Sequence, residues 1–183
     1  MSSPAHRTNP ASTRRTEHAA APFNALGAEP LSTVGDVPWH EIKDSTGSAE
    51  GIPLLLRAIA WGAPEAARGA VGQLRDRICQ YGFVVEQATA ATVPFLWELA
   101  QLPGVTCRAQ IIELLGGIAA ARQWEDTAAV YPKLLNHREN HVVWEREARE
   151  AVRSRRGLIR QLAVGESAEI AKAARELARA IGE

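Results

Sequence analysis

Among 183 residues, the pair best spaced for chemistry is His137 and His141, four apart and flanked by Glu139 and Glu145. On a helix two imidazoles at that spacing share a face and could hold a metal ion, as in HExxH zinc sites. That motif needs Glu at 138, where Arg138 stands, and the reversed HxxEH form needs Glu at 140, where Asn140 stands. With no third ligand in register, the two histidines are expected to be exposed in a polar turn, and no cofactor is expected. Cys79 and Cys107 form no CxxC pair or zinc spacing; they read as buried small hydrophobes.

Asp76 and Glu113 are the carboxylates that could act as general acid or base. A DNA glycosylase would need such an acid beside aromatic residues on a strongly basic surface. The sizeable basic cluster is Arg153, Arg155, Arg156 and Arg160, in a chain whose 21 Lys plus Arg balance 21 Asp plus Glu, so the electrostatic attraction that dominates DNA affinity is weak. Nucleic acid is an unfavoured partner. Five tryptophans stand beside three phenylalanines and two tyrosines. Trp39 and Trp61 are expected to pack in the core, whereas Trp97, at the edge of its helix's apolar face, and Trp144 stay open as binding platforms. There is no phosphate loop, GxSxG elbow or cysteine–histidine signature.

The elements that position these residues are helices. Alanine occurs 33 times, and it is the strongest helix former. Arginine outnumbers lysine 18 to 3, an excess that reads as GC-rich codon usage alongside the alanine. From residue 1 to 37 no apolar period appears, and Glu17, Glu29 and Asp36 balance three arginines, so this stretch is expected to be a disordered tail. Residues 38–183 form the folded domain. Ser48 is the expected N-cap of a first helix with Pro53 in its first turn and Ile52, Leu55, Leu56 and Ile59 inward. Gly62 stops it, and Pro64 starts a second helix with Ala67, Ala70, Val71, Leu74 and Ile78 buried. A third helix runs from about Ala88 to Leu102, and a fourth from about Thr106 to Ala121 with Ile111, Leu114, Leu115 and Ile118 inward.

Ile52-Pro53-Leu54-Leu55 and Val93-Pro94-Phe95-Leu96 lie 41 residues apart, and Arg68 and Arg108, like Leu74 and Leu114, lie 40 apart. A weaker third copy carries Leu158, Ile159 and Leu162, a break at Gly165, then Ile170, Ala174, Leu177 and Ile181. Residues 122–155 are expected to supply about one helix, with Glu145–Arg149 and Arg146–Glu150 pairs on a solvated face. A period near 40 with two helices per copy is the signature of a HEAT or armadillo-type stack. The fold class is therefore all-α: a right-handed α-solenoid of about three hairpins behind a disordered N-terminal arm.

The chain also resembles small HEAT-repeat proteins of actinobacteria. The resemblance rests on Val37-Pro38-Trp39, Gly47-Ser48-Ala49-Glu50-Gly51-Ile52-Pro53 continuing through Leu55-Leu56-Arg57-Ala58, and Ala88-Thr89-Ala90-Ala91-Thr92-Val93-Pro94-Phe95-Leu96. It covers residues 37–121 well and the rest loosely. It implies a curved helical stack and no particular activity, since HEAT-like folds include protein-binding scaffolds, phycobilin lyases and alkylpurine DNA glycosylases.

In such a stack the second helix of each hairpin lines the concave face. The expected groove residues are Arg68, Gly72, Asp76, Arg108, Glu113, Gly117, Arg175 and Arg179, joined by Trp97 and Trp144. Gly69, Gly72, Gly116 and Gly117 each cost about 1 kcal/mol relative to alanine inside a helix. Close helix packing is the expected reason, and a ligand against bare backbone the alternative. The leading expectation is a non-catalytic module that binds a protein or peptide, as an adaptor or toxin antidote. An accessory cyclase or lyase, using Asp76 or Glu113 on a small molecule, is the competing one. No apolar run spans a bilayer and no signal-peptide order is visible, which places the expected site of action in the cytoplasm, away from membranes.

Overall fold

The computed structural model describes residues 29–135, 139–164 and 167–182; His137 and Gly165 lie outside them. The chain is mainly helical: α1 (Ile52–Trp61), α2 (Pro64–Ile78), α3 (Thr89–Gln101), α4 (Arg108–Ala120), α5 (Gln123–Val130), α6 (His141–Arg153), α7 (Gly157–Ala163) and α8 (Ala168–Ile181). Two short antiparallel hairpins interrupt them, β1 (Lys43–Asp44) with β2 (Gly47–Ser48) and β3 (Cys79–Gln80) with β4 (Val84–Val85).

The helix signals act where they were expected. Ser48 accepts from the Glu50 amide and caps a 3-10 turn that leads into α1, Pro53 sits in the first turn of α1, and Gly62 closes it. The anticipated stripes of α2 and α4 are all buried. Residues at i, i+3, i+4 and i+7 fall on one side of a helix, so each stripe fixes the side its helix turns inward. Pro94 lies inside α3, because α3 begins a turn earlier relative to the repeated Ile/Val-Pro pair than α1 does.

Three pairs, α1 with α2, α3 with α4, and α7 with α8, pack as neighbours in sequence. Between pairs, α1 touches α3 and α3 touches α6, while α2 touches α4 and α4 packs extensively on α8. One layer thus runs α1, α3, α6 and the other α2, α4, α8. The third member of the first layer is α6 instead of α7, and residues 122–155 supply two helices, α5 and α6, where one was expected.

Two further expectations are corrected. Leu31 and Val34 are buried, the Leu31 amide donates to Glu98 Oε2 at 3.1 Å, and the Trp39 indole donates to the Val34 carbonyl at 2.7 Å. Packing against Trp39 and Phe95 therefore begins before residue 38, within the stretch expected to be tail. The supposed solvated face of α6 is also partly interior: Glu145 and Arg149 are buried. Glu145 accepts from the Trp124 and Glu125 amides at 3.1 and 2.9 Å, satisfying the open N-terminal turn of α5 as a capping side chain does. Arg149 donates to the Ala121 carbonyl at 2.9 Å and pairs with Glu125. These contacts cross about 20 residues of sequence, so the i,i+4 spacing within α6 is not what places the two side chains.

Candidate functional site

The exit of α2 sets the geometry of the site. Ser45 donates its amide to the Arg77 carbonyl at 3.0 Å and its hydroxyl to the Asp76 carbonyl at 2.8 Å, and Thr89 donates to the Ile78 carbonyl. These bonds occupy helix-end carbonyls that would otherwise need water. Arg77 pairs with the buried carboxylate of Asp44 at 2.9 Å, and its guanidinium fills the space a Cβ on Gly51 would need. Held at this end, the β3–β4 hairpin places its tip, Tyr81 and Gly82, beside α2 and α4. Both tip residues adopt left-handed backbone, which is strained for tyrosine. The Tyr81 ring is 83% exposed and tilts against Phe83.

Between α2, α4 and this tip lies an open depression of about 390 Å³. The α2 wall is Arg68, Val71, Gly72 and Arg75, the α4 wall is Gln110, Glu113, Leu114 and Gly117, and Gly82 closes one end. Each wall is an i, i+3, i+4, i+7 set, two helical turns long or about 10.5 Å. Glu113 and Gly117 also line a second depression of about 240 Å³ against Ala173, Glu176, Leu177 and Ala180 of α8 and neighbouring residues of α4. Arg75 and Gly82 also line a third of about 350 Å³ with Asp76 and Tyr81. The shared residues make one continuous groove across α2, α4 and α8. Its charged walls are exposed, with Arg68 paired to Glu65 and Arg75 3.5 Å from Asp76.

The glycines divide by cause. A Cβ on Gly117 would sit 2.7 Å from the Gly82 carbonyl oxygen, so this glycine lets the hairpin tip close on α4. A Cβ on Gly116 would reach Leu177 at ordinary contact distance, where α8 crosses. Gly69 and Gly72 meet nothing within 4 Å. Close packing therefore accounts for Gly117 alone; Gly116 would take a Cβ at ordinary contact, and the α2 pair has no packing reason, with Gly72 presenting bare backbone to the groove.

Of the anticipated groove residues, Arg68, Gly72, Glu113 and Gly117 line the central depression and Asp76 the third. Arg108 does not reach it: it is buried and its Nε donates to the Ala100 carbonyl at 2.7 Å, tying α4 to α3. Trp97 is fully buried in the core, so it is no platform. Trp61, expected inside, is 59% exposed near the end of α1. Arg175 and Arg179 are exposed on α8 but line none of the three depressions, because α8 turns Ala173, Glu176, Leu177 and Ala180 to the groove. Trp144 lies on α6 in a separate aromatic cluster. Arg75, Gln110, Tyr81 and Glu176 were not anticipated; Arg75 was findable, since it stands seven residues from Arg68 on the same face.

That aromatic cluster holds His141. Its ring stacks on Trp124 at 4.2 Å and meets the edge of Trp144 at 4.7 Å. Nε2 lies 3.2 Å from Glu139, and only 13% of the side chain is exposed. The expected exposed histidine is therefore corrected: His141 opens α6 between two indoles. Among the described residues no group of three or more His, Cys, Asp or Glu is placed to hold a metal ion, and no helix is long and apolar enough to cross a membrane. Burial pushes the Cys79 thiol up to about 12, which leaves it protonated and a poor nucleophile.

Compared with protein-family models, curated proteins and solved structures, the chain matches none.

Proposed function

We propose that the chain is a non-catalytic protein- or peptide-binding module, acting as an adaptor or antidote, and that its partner lies in the groove of α2, α4 and α8. The observation that carries this reading is the continuous open groove whose α2 wall leaves Gly72 as bare backbone between Arg68 and Arg75. A mid-helix glycine with no packing neighbour costs stability without return in the isolated chain, and a partner close against it supplies the return. The groove offers the guanidinium groups of Arg68 and Arg75 on its α2 wall and the carboxylate of Glu113 on its α4 wall, with Tyr81 at its rim. Arginine and tyrosine are among the side chains enriched at interface hot spots. An open, charged trough suits a macromolecular surface better than the enclosed, mostly apolar pocket of a small-molecule site.

The two helical layers, α1, α3, α6 and α2, α4, α8, support the finer reading of a short right-handed HEAT-like solenoid, whose surface residues can vary while the stack persists. Cytoplasmic placement belongs to the same proposal. Affinity capture from lysate of the source organism, with the wild type beside an Asp76→Arg/Glu113→Arg variant, tests the function. A stoichiometric protein captured by the wild type and lost by the folded variant is the expected result. Equal capture by both, or co-purification of a small molecule alone, refutes the groove assignment.

A further inference from the structure

The groove of α2, α4 and α8 changes sign across its width. Arg68 and Arg75 stand on its α2 wall, seven residues or about 10.5 Å apart along the helix. Both are exposed. Arg68 is paired with Glu65, and Arg75 lies 3.5 Å from Asp76 through Nε, with its two terminal nitrogens making no hydrogen bond among the described residues. Exposed pairs of this kind are worth little, so an incoming carboxylate can take either guanidinium. On the far side the groups are acidic. Glu113 of α4 is exposed and has no ion pair among the described residues, and Glu176 of α8 lies 3.9 Å from Lys172.

Between the two arginines the wall drops to bare backbone, since a Cβ on Gly72 meets nothing within 4 Å. The floor residues Val71 and Leu114 are already buried, so a partner draws on the walls and the end of the groove. Tyr81 supplies an apolar end. Its ring shares the third depression with Arg75 and tilts against Phe83 at 6.2 Å, and the contact of Gly82 with Gly117 holds this tip at the rim.

A helix fits these spacings. Laid beside α2 at a small crossing angle, it rises by the same amount per residue. Its own residues seven apart then come level with Arg68 and Arg75, and the residue midway comes level with Gly72, where the missing side chain lets the two backbones approach. An extended segment spans about 10 Å only between residues three apart, which point to opposite faces.

Resting on the groove reading above, we propose that the occupant is an α-helix of a partner protein whose two flanks carry opposite charge. Two of its carboxylates, seven residues apart, meet Arg68 and Arg75, and a small residue midway lies on Gly72. A basic side chain on the other flank meets Glu113 and Glu176, and an apolar residue one turn beyond the acid at Arg75 packs on Tyr81.

The test is selection on the purified full chain from a phage-displayed library of random peptides of about 20 residues, long enough to form a helix, followed by fluorescence anisotropy of the synthesised winners. The enriched family is expected to carry acids seven apart with Gly, Ala or Ser midway, and to gain helical circular dichroism on binding. Affinity is expected to fall by about tenfold or more in Arg68→Glu/Arg75→Glu and in Gly72→Trp, with thermal melts confirming that both variants fold. Selection on Arg68→Glu/Arg75→Glu is expected to return Lys or Arg at the same spacing. Winners without that spacing, winners that bind the double variant unchanged, or no enrichment at all overturn the inference. If winners of another pattern still lose binding in Gly72→Trp, the groove reading stands without it; if they bind Gly72→Trp as they bind the wild type, both fall. A dimer in analytical ultracentrifugation that Gly72→Trp dissociates places a second copy in the groove and also overturns the inference.

Discussion

Glu145 and Arg149 carry much of the specificity in the C-terminal half. Glu145 closes the N-terminus of α5 with two amide bonds, and its carboxylate also suits the positive end of that helix. Glu145→Ala leaves two backbone donors without their acceptor and Arg149 with one fewer compensating charge, so a loss of about 2–4 kcal/mol is expected in urea denaturation. A loss within 0.5 kcal/mol, the usual size for a surface site, contradicts the account. At Glu86, burial and then Asp44 and Glu139 push the carboxyl up to about 7, and the sign follows from a folded-state pKa above the unfolded one: its stabilisation is complete below about 4.5 and is lost as pH rises to about 7. Glu86→Gln stays neutral and keeps it. Discounted for partial solvation, the variant is expected to exceed the wild type by about 1–2 kcal/mol at pH 8 and to match it at pH 4. A constant difference across that range contradicts the assignment. These residues were hard to find in the sequence for one reason. Arg108, Glu145 and Arg149 look like surface charges until the carbonyls and amides they satisfy, 8 to 28 residues away, are folded around them.

Elements were more legible than residues. The stripes of α1, α2 and α4 were readable because a 3.6-residue period marks one face of a helix and Pro and Gly signals bound them. The two hairpins were not, since strands of two residues carry no alternation to detect. The third hairpin, α7 with α8, packs as its sequence rhythm has it, but the place beside α3 is taken by α6, with its Trp144 and buried Arg149, which no period marks. The glycines give the sharpest element-level prediction. Gly117→Ala drives a methyl group into the Gly82 carbonyl and is expected to cost about 1–3 kcal/mol, displacing the β3–β4 tip from α4. Gly69→Ala has open space and a helical backbone, so it is expected to stabilise by about 0.5–1 kcal/mol. Equal effects in thermal denaturation at the two sites contradict the division of the glycines into packed and unpacked.

At the scale of the whole molecule, two layers of three helices leave one row, α2, α4 and α8, with a trough along its face. Part of that trough was legible, since the second helix of each hairpin was expected to line it. Which residues α8 contributes was not, because a helix's rotation about its own axis is fixed by its packing on α4 and not by the spacing of Arg175 and Arg179. Nor was the rim, which depends on the left-handed backbone of Tyr81. The account stands or falls on whether this trough is where a partner sits. The direct measurement places a photo-activated benzoylphenylalanine at Gly72, where the added side chain has room, and a second at Arg57 on the exposed face of α1. Irradiation in cells of the source organism is predicted to give a discrete protein adduct from position 72 that is absent from position 57. Adducts from position 57 alone, or the same adducts from both, contradict the claim that the groove is the binding surface.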